Sequence, residues 1–162
     1  MIQLKARLAL ELPGINRALN KAVDTLPEPV RPVARHIFDA GGKRLRPLLT
    51  VLTARLLGHE AKSIQDLAIT LEMLHAATLL HDDVVDKAEF RRNQPAANVL
   101  WGNQGVVLVG DFLYSKSILM TVAYNNIRIL QTLSEATTLM AEGEVLQLIH
   151  ADNLEIAEQD YL

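Results

Sequence analysis

The sequence has no cysteine and few aromatic residues, since phenylalanine, tryptophan and tyrosine make up only 4% of its 162 residues. Without cysteine, the chain has no disulfide bond, no thiolate metal site and no cysteine nucleophile. With so few aromatic side chains, the core must be built from aliphatic residues. The chain is 49% hydrophobic, which at this length is enough for one domain with a substantial core.

Positive charge is not in excess either, because 16 Lys and Arg residues stand against 19 Asp and Glu, for a net charge of −3. General affinity for nucleic acid requires a basic excess or a basic face, so we expect no nucleic-acid partner. No run approaches ~20 uninterrupted apolar residues, so we expect no transmembrane segment. The first residues, MIQLKARLALELPG, lack the long apolar run of a signal peptide. We therefore expect a cytoplasmic location.

Apolar residues recur at helical spacing along most of the chain, and strict alternation of apolar and polar residues is missing. The pattern predicts an all-α helical bundle over residues 1–162. Pro13-Gly14 is expected to bend or break the opening helix. The polar segment 87–102, which contains Pro95, is predicted to be a loop. Further helices are predicted over about 47–58, 64–86, 104–124 and 127–150.

The segment His81-Asp82-Asp83-Val84-Val85-Asp86 closes the predicted helix 64–86. Asp82 and Asp86 lie about 40° apart around a helix, so their carboxylates share a face and repel each other. They could form a solvated acidic surface. Alternatively, the apolar helix turns at least one carboxylate towards the interior, where like charges need a counter-ion. Hard oxygen ligands one turn apart suit Mg²⁺, which keeps waters and shares phosphate oxygens.

Cations cluster at two other places. Gly41-Gly42-Lys43-Arg44-Leu45-Arg46-Pro47 combines a flexible backbone with three cations at a helix entrance, which suits a bound diphosphate. Arg91-Arg92 follows shortly after Asp86. A solubilising loop and a simple neutralising pair are the alternative explanations, and His75 could be an ordinary structural histidine. A metal-bridged anion between the carboxylates and the cations explains all of these groups together.

Four segments together resemble the trans-polyprenyl diphosphate synthase family, and within it the long-chain bacterial type such as the octaprenyl diphosphate synthases. These segments are GGKRLRP at 41–47, LEMLHAATLLHDDVVD at 71–86, RRNQPAAN at 91–98 and VGDFLYSKS at 109–117. The resemblance implies the all-α isoprenoid synthase fold, present here as roughly its amino-terminal half. It also implies a Mg²⁺-dependent prenyltransferase that forms a homodimer.

The resemblance also assigns roles to individual residues. Asp82 and Asp86 resemble the Mg²⁺ ligands of the family, with Asp83 in support, and Arg91 resembles the residue that holds the allylic diphosphate. The residues that resemble the isopentenyl diphosphate site are Lys43, Arg46, His75 and Arg92. The implied reaction is ionisation of an allylic diphosphate, attack by isopentenyl diphosphate and loss of a proton, repeated to build a long-chain polyprenyl diphosphate. No catalytic residue beyond these ligands is implied.

Two departures from the family pattern stand out. Asn93 occupies the position after the arginine pair where the family commonly has glycine, which affects the backbone freedom of this loop. The second aspartate-rich motif of the family is missing, because no two acidic residues after Asp111 are adjacent. We therefore expect that residues 1–162 alone do not elongate prenyl chains, although a complete enzyme containing them would.

Three other functions fit part of the pattern. A non-catalytic partner subunit of a heteromeric synthase would be expected to have a degraded first aspartate motif, whereas all three aspartates are present. A class I terpene cyclase fragment would also carry an aspartate-rich helix, but it has no use for GGKRLRP because it binds no second diphosphate. A structural helical bundle with charged ends would show no Mg²⁺-dependent binding of a diphosphate.

The small residues before the aspartates predict a long product. If the diphosphate lies at Asp82 and Asp86, the growing tail runs back along the helix past Thr78 and Ala77, and one turn advances ~5.4 Å. These small side chains leave the passage open, so we expect more than five isoprene units and a shorter product from Ala77→Tyr. The alternative is that Ala77 is small only because a neighbouring helix packs closely against it.

Overall fold

The computed structural model of the protein describes residues 2–59, 63–151, 153, 155 and 157–161. The chain divides into two compact units, Met1–Ala123 and Tyr124–Leu162. Almost all regular structure is helical, which confirms the predicted all-α class. The elements are α1 Ile2–Asp24, α2 Arg31–Asp39, α3 Leu45–Leu56, α4 Ser63–Val85, β1 Phe90–Arg91, β2 Gln94–Pro95, α5 Ala97–Val122, α6 Ile127–His150 and α7 Glu158–Tyr161.

The opening helix α1 runs through Pro13 without a break. Of the predicted bend or break at Pro13-Gly14, the break was wrong, because packing outweighs the hydrogen bond that proline removes. Ile15, Leu19 and Val23, which follow the proline at four-residue spacing, are all buried in the core. This buried stripe fixes the second half of α1 on the rest of the unit.

Helix α4 is the centre of the first unit and packs against α1, α2, α3 and, most extensively, α5. Small residues on α4 let its neighbours approach, since Ala68, Ala76 and Ala77 are buried. On α5, a Cβ atom added to Gly110 would lie 2.4 Å from Nε2 of His81, so the absence of a side chain permits this close contact. Most of the buried core belongs to the interfaces around α4.

The segment predicted as a loop contains regular structure. β1 and β2 form a two-stranded antiparallel hairpin with Arg91 opposite Gln94, and α5 already begins at Ala97. The two turn residues, Arg92 and Asn93, have φ of 50° and 64°, as a two-residue turn requires to match the twist of a hairpin. The polar composition of the segment gave no indication of a hairpin turn. The helical prediction for residues 104–124 was right, although α5 starts earlier.

Helix α5 is long and apolar enough to cross a membrane by length and composition alone. The core helix of a soluble protein passes the same test, and α5 packs along α4 over much of its length. It is therefore weak evidence for a membrane span. In the second unit, α6 has the predicted bounds, and the side chain of Asn126 accepts a hydrogen bond from the backbone N–H of Arg128 at its start.

Candidate functional site

A cleft forms where the segment 41–46, helix α4 and the tip of the hairpin meet. Its volume is about 290 Å³, and its lining residues are Gly42, Lys43, Arg44, Leu45, Arg46, Glu72, His75 and Arg92. Lys43, Arg46 and Arg92 are exposed, and His75 is half-buried. All four residues predicted to hold isopentenyl diphosphate thus lie in one cleft, although they come from three separate parts of the chain.

Arg44 points into the protein rather than into solvent. Its Nη1 donates to Glu72 Oε1 at 2.9 Å and its Nη2 donates to the Phe38 carbonyl oxygen at 2.6 Å. Its guanidinium carbon also lies 6.0 Å from the centre of the Phe38 ring. The sequence placed Arg44 among the three cations of the segment 41–47 but did not predict its inward pairing, and it gave no role to Glu72. The signal for Glu72 was a lone carboxylate within the apolar part of α4, three residues before His75.

The cations of the cleft act on His75. Burial, followed by the positive charge of Arg46, lowers the pKa of His75 from its ordinary 6.5, and Arg92 and Arg91 add to this effect while Glu72 opposes it. His75 is therefore neutral at pH 7 and can both donate and accept a hydrogen bond. A neutral histidine surrounded by exposed cations is an arrangement suited to binding an anion.

The three aspartates at the end of α4 lie in different environments. Asp83 is buried, and its Oδ1 accepts from Arg91 Nε at 2.6 Å. Asp82 is half-buried and Asp86 is exposed. The backbone N–H of Asp86 donates to the Asp82 carbonyl oxygen at 2.8 Å, so the two residues remain one helical turn apart, as predicted. The expected inward carboxylate is Asp83, and an arginine supplies its counter-ion.

The two consecutive arginines of the hairpin separate. Arg92 enters the cleft, whereas Arg91 binds Asp83 through Nε and is half-buried. The ion pair uses Nε of Arg91, and the Nη atoms carry further N–H donors that could bind a diphosphate. The assignment of Arg91 to the allylic diphosphate stays a prediction. The neutralising role considered for the pair fits Arg91 and not Arg92.

The acidic end of α4 has oxygen donors suited to Mg²⁺ but no complete cage. Within the described ranges, no three His, Asp or Glu side chains are grouped so that they could hold a metal ion. Asp83 Oδ2 is buried and has no hydrogen-bond partner among the residues that the structure describes. Two carboxylates one turn apart fit an ion that takes its remaining ligands from water and phosphate, which is the usual behaviour of Mg²⁺.

The polyprenyl synthetase family matches residues 27–162 of the sequence. The chain belongs to this family. It is 38% identical over 154 residues to the octaprenyl diphosphate synthase of Escherichia coli, covering 95% of this chain and 48% of that protein. It is 40% identical over 158 residues to a geranyl-diphosphate-specific all-trans-nonaprenyl-diphosphate synthase of Rhodobacter capsulatus, covering 97% and 49%. The resemblance inferred from the motifs is confirmed.

Solved structures of the family have the same fold. A decaprenyl diphosphate synthase from Rhodobacter capsulatus superposes with a TM-score of 0.88 at 43% identity, covering 96% of this chain and 50% of that one. A polyprenyl synthase from Caulobacter crescentus, complexed with calcium and isoprenyl diphosphate, gives a TM-score of 0.88 at 41% identity, covering 96% and 49%. The chain thus spans about half the length of these relatives.

Proposed function

We propose that this chain supplies the isopentenyl diphosphate site and the first metal-binding aspartates of a long-chain polyprenyl diphosphate synthase. The cleft carries this proposal, because it collects Lys43, Arg46 and Arg92 around a neutral His75. Arg44 is already paired with Glu72, so three cations remain for an anion. A diphosphate offers several negative oxygens to this set, and charge-assisted hydrogen bonds to phosphate are among the strong ones.

The proposed reaction joins two diphosphates bound side by side. The C–O bond of the allylic diphosphate breaks, a C–C bond forms to isopentenyl diphosphate, and a proton leaves the new allylic unit as diphosphate departs. Lys43, Arg46 and Arg92 would hold the isopentenyl diphosphate still during this step, which lowers the barrier through positioning. Most side chains of the core cluster are aliphatic, and aliphatic side chains are not nucleophiles that could capture a carbocation.

Asp82 and Asp86 would bind Mg²⁺, which would neutralise the departing diphosphate as a Lewis acid. The support for this assignment is their spacing of one turn and their oxygen donors, while Asp83 is occupied by Arg91. The Caulobacter crescentus relative is described with calcium and isoprenyl diphosphate together. A homodimer and a cytoplasmic location also stay predictions.

Calorimetric titration of the purified chain with isopentenyl diphosphate tests the cleft. We expect binding by the native chain and a loss of affinity of at least about tenfold in Arg92→Gln, since one charge-assisted hydrogen bond contributes about 1.5–3 kcal/mol. Arg17→Gln, which removes an exposed arginine of α1, is the matched control and should bind as the native chain does. Equal affinity in native chain and Arg92→Gln would contradict the assignment of the cleft.

A second titration tests the metal. An allylic diphosphate should bind in the presence of Mg²⁺ and only weakly with a chelator, and Asp82→Asn should remove most of this difference. Equal affinity under both conditions would rule out a metal bridge at Asp82. We also propose that the 162-residue chain binds without elongating, since it has only the first acidic cluster. Prenyl products formed by the purified chain alone would refute that part.

A further inference from the structure

A buried ion pair stands among the residues that line the diphosphate cleft. The side chains of Arg44 and Glu72 are only 11% and 8% exposed, and their charged atoms are 2.9 Å apart. A buried pair of this kind adds little to stability over a well-packed apolar pair, because both charges must leave water. The main effect of the pair is the geometry that it imposes on the neighbouring segments.

The pair fixes the segment that carries two of the cleft cations. Arg44 has a left-handed backbone, with φ of 51° and ψ of 36°, a conformation that costs free energy in a residue with a side chain. Its guanidinium is bound to Glu72 on α4 and to the Phe38 carbonyl at the end of α2. Arg44 therefore links α2, the segment 41–46 and α4 at one point.

Because the side chain of Arg44 points inward, the side chains of its neighbours in the sequence, Lys43 and Arg46, lie at the cleft. Lys43 and Arg46 stand on either side of it in the sequence and are exposed. Glu72 lies three residues before His75 and so on the same side of α4. The ion pair thus connects the segment that carries Lys43 and Arg46 to the helix turn that carries His75.

The hairpin repeats the same arrangement. Its Arg91 binds the buried Asp83 of α4 at 2.6 Å, and the adjacent Arg92 lies in the cleft. Glu72 and Asp83 are eleven residues apart, which places them about 20° apart around the helix and about 16 Å apart along it. Helix α4 therefore offers one buried carboxylate to each of the two cation-bearing segments.

We propose that Arg44 and Glu72 are positioning residues for diphosphate recognition. They hold Lys43 and Arg46 in the directions in which these cations meet the diphosphate, while their own charged groups stay paired with each other. The inference rests on the proposed function of the cleft. It adds a second group of residues, beside the three cations, on which affinity for the diphosphate depends.

The direction in which Glu72→Gln changes the affinity for diphosphate distinguishes a positioning role from a purely electrostatic effect. Glu72→Gln keeps the shape of the side chain but removes a negative charge beside the cleft. If charge alone mattered, this variant would bind a diphosphate more tightly. If Glu72 acts through Arg44, the segment 41–46 loosens and binding weakens by about tenfold or more, the scale on which metal affinity falls when a residue that orients a metal ligand is lost.

The probe is inorganic diphosphate, titrated calorimetrically into the 162-residue chain, with thermal unfolding measured on each variant. Arg44→Lys serves as a second variant that keeps the charge. Lysine cannot bind Glu72 and the Phe38 carbonyl with a planar fork, so positioning predicts weaker binding here also. Arg35→Gln is the control, because Arg35 pairs with Asp24 at the surface, and it should bind as the native chain does.

Weaker binding by Glu72→Gln and by Arg44→Lys, with unfolding temperatures showing folded proteins, supports the inference. If the native chain binds diphosphate and either folded variant binds it equally well or more tightly, the inference is overturned. The proposed function of the cleft is unaffected by that result. Absence of diphosphate binding by the native chain overturns both. If Glu72→Gln does not fold, the result for Arg44→Lys decides.

Discussion

Gly42 leaves room for the guanidinium of Arg92, which lies fifty positions further along the sequence. A Cβ atom at position 42 would lie 2.9 Å from Nη1 of Arg92 and 3.3 Å from Nη1 of Arg44. Both atoms are at the ends of flexible side chains, so Gly42→Ala should fold and displace the guanidinium of Arg92. We expect diphosphate affinity to fall several-fold, measured by calorimetry.

Gly143 provides the matched control for this substitution. It lies within α6 with nothing inside 4 Å of an added Cβ, so Gly143→Ala should leave binding unchanged. It should also raise stability by about 0.4–1 kcal/mol, because alanine has the better helix propensity. Tighter or equal binding by Gly42→Ala would show that the guanidinium of Arg92 does not depend on this contact.

The lowered pKa of His75 makes stability depend on pH. Protonation is disfavoured in the folded state, so the unfolded chain binds the proton first as the pH falls below 6.5. The contribution of His75 to stability is therefore complete above 6.5. It is lost as the pH falls from 6.5 to the lowered pKa, and is constant below that. His75→Gln should show none of this loss.

Urea unfolding between pH 7.5 and pH 5 measures the difference between native chain and His75→Gln. A difference that stays constant across this range would contradict the prediction. Bound diphosphate adds negative charge near the imidazole, so it should raise the pKa of His75 and cause proton uptake in mildly acidic buffer. Calorimetry in two buffers of different ionisation enthalpy detects that uptake.

At the scale of elements, the hairpin depends on one ion pair with α4. Removing Arg91 leaves the carboxylate of Asp83, which is 1% exposed, without its counter-ion. We expect Arg91→Gln to lower the free energy of unfolding by about 3 kcal/mol, the scale on which breaking a buried pair is costly. Urea unfolding measures it, with Arg35→Gln, at a surface pair, expected to cost no more than about 1 kcal/mol.

The elements also show how far the sequence could be interpreted. The aliphatic periodicity predicted the helices, and the bounds of α6 in particular, because burial of one face governs both pattern and fold. It did not predict the hairpin, whose turn residues Arg92 and Asn93 are not the usual Asn-Gly. Asparagine tolerates a positive φ better than most residues, which explains how it fits the position where the family resemblance predicts glycine.

Site residues were predicted where chemistry and spacing coincide, as for the aspartates of α4. What the sequence could not show is which charges pair with each other, because Arg44 and Glu72 are 28 residues apart. Ala77 gives a second example. It is 1% exposed and belongs to the core around α4, which favours the close-packing explanation for its size. The role of this position in product length stays a prediction.

At the scale of the whole chain, α6 exposes many apolar side chains for a helix of a globular protein. They are Ile127, Leu139, Met140, Val145, Leu146, Leu148 and Ile149. Apolar area of this kind is normally covered by another surface. We expect the isolated chain to associate with itself as concentration rises, and sedimentation velocity between low and high micromolar concentration measures this. A single monomeric species throughout would contradict it.

The non-helical Gly102 within α5 has a spectroscopic consequence. Its φ of 75° and ψ of 155° belong to a region open essentially to glycine, and they turn the first residues of α5 away from the rest of the helix. The indole of Trp101 thereby meets the His36 ring edge-on at 5.2 Å, while His36 Nε2 donates to the Pro95 carbonyl at the base of the hairpin. Trp101 is the single tryptophan of the chain. We expect its fluorescence emission to change, without any added label, if the hairpin moves when an anion binds Arg92.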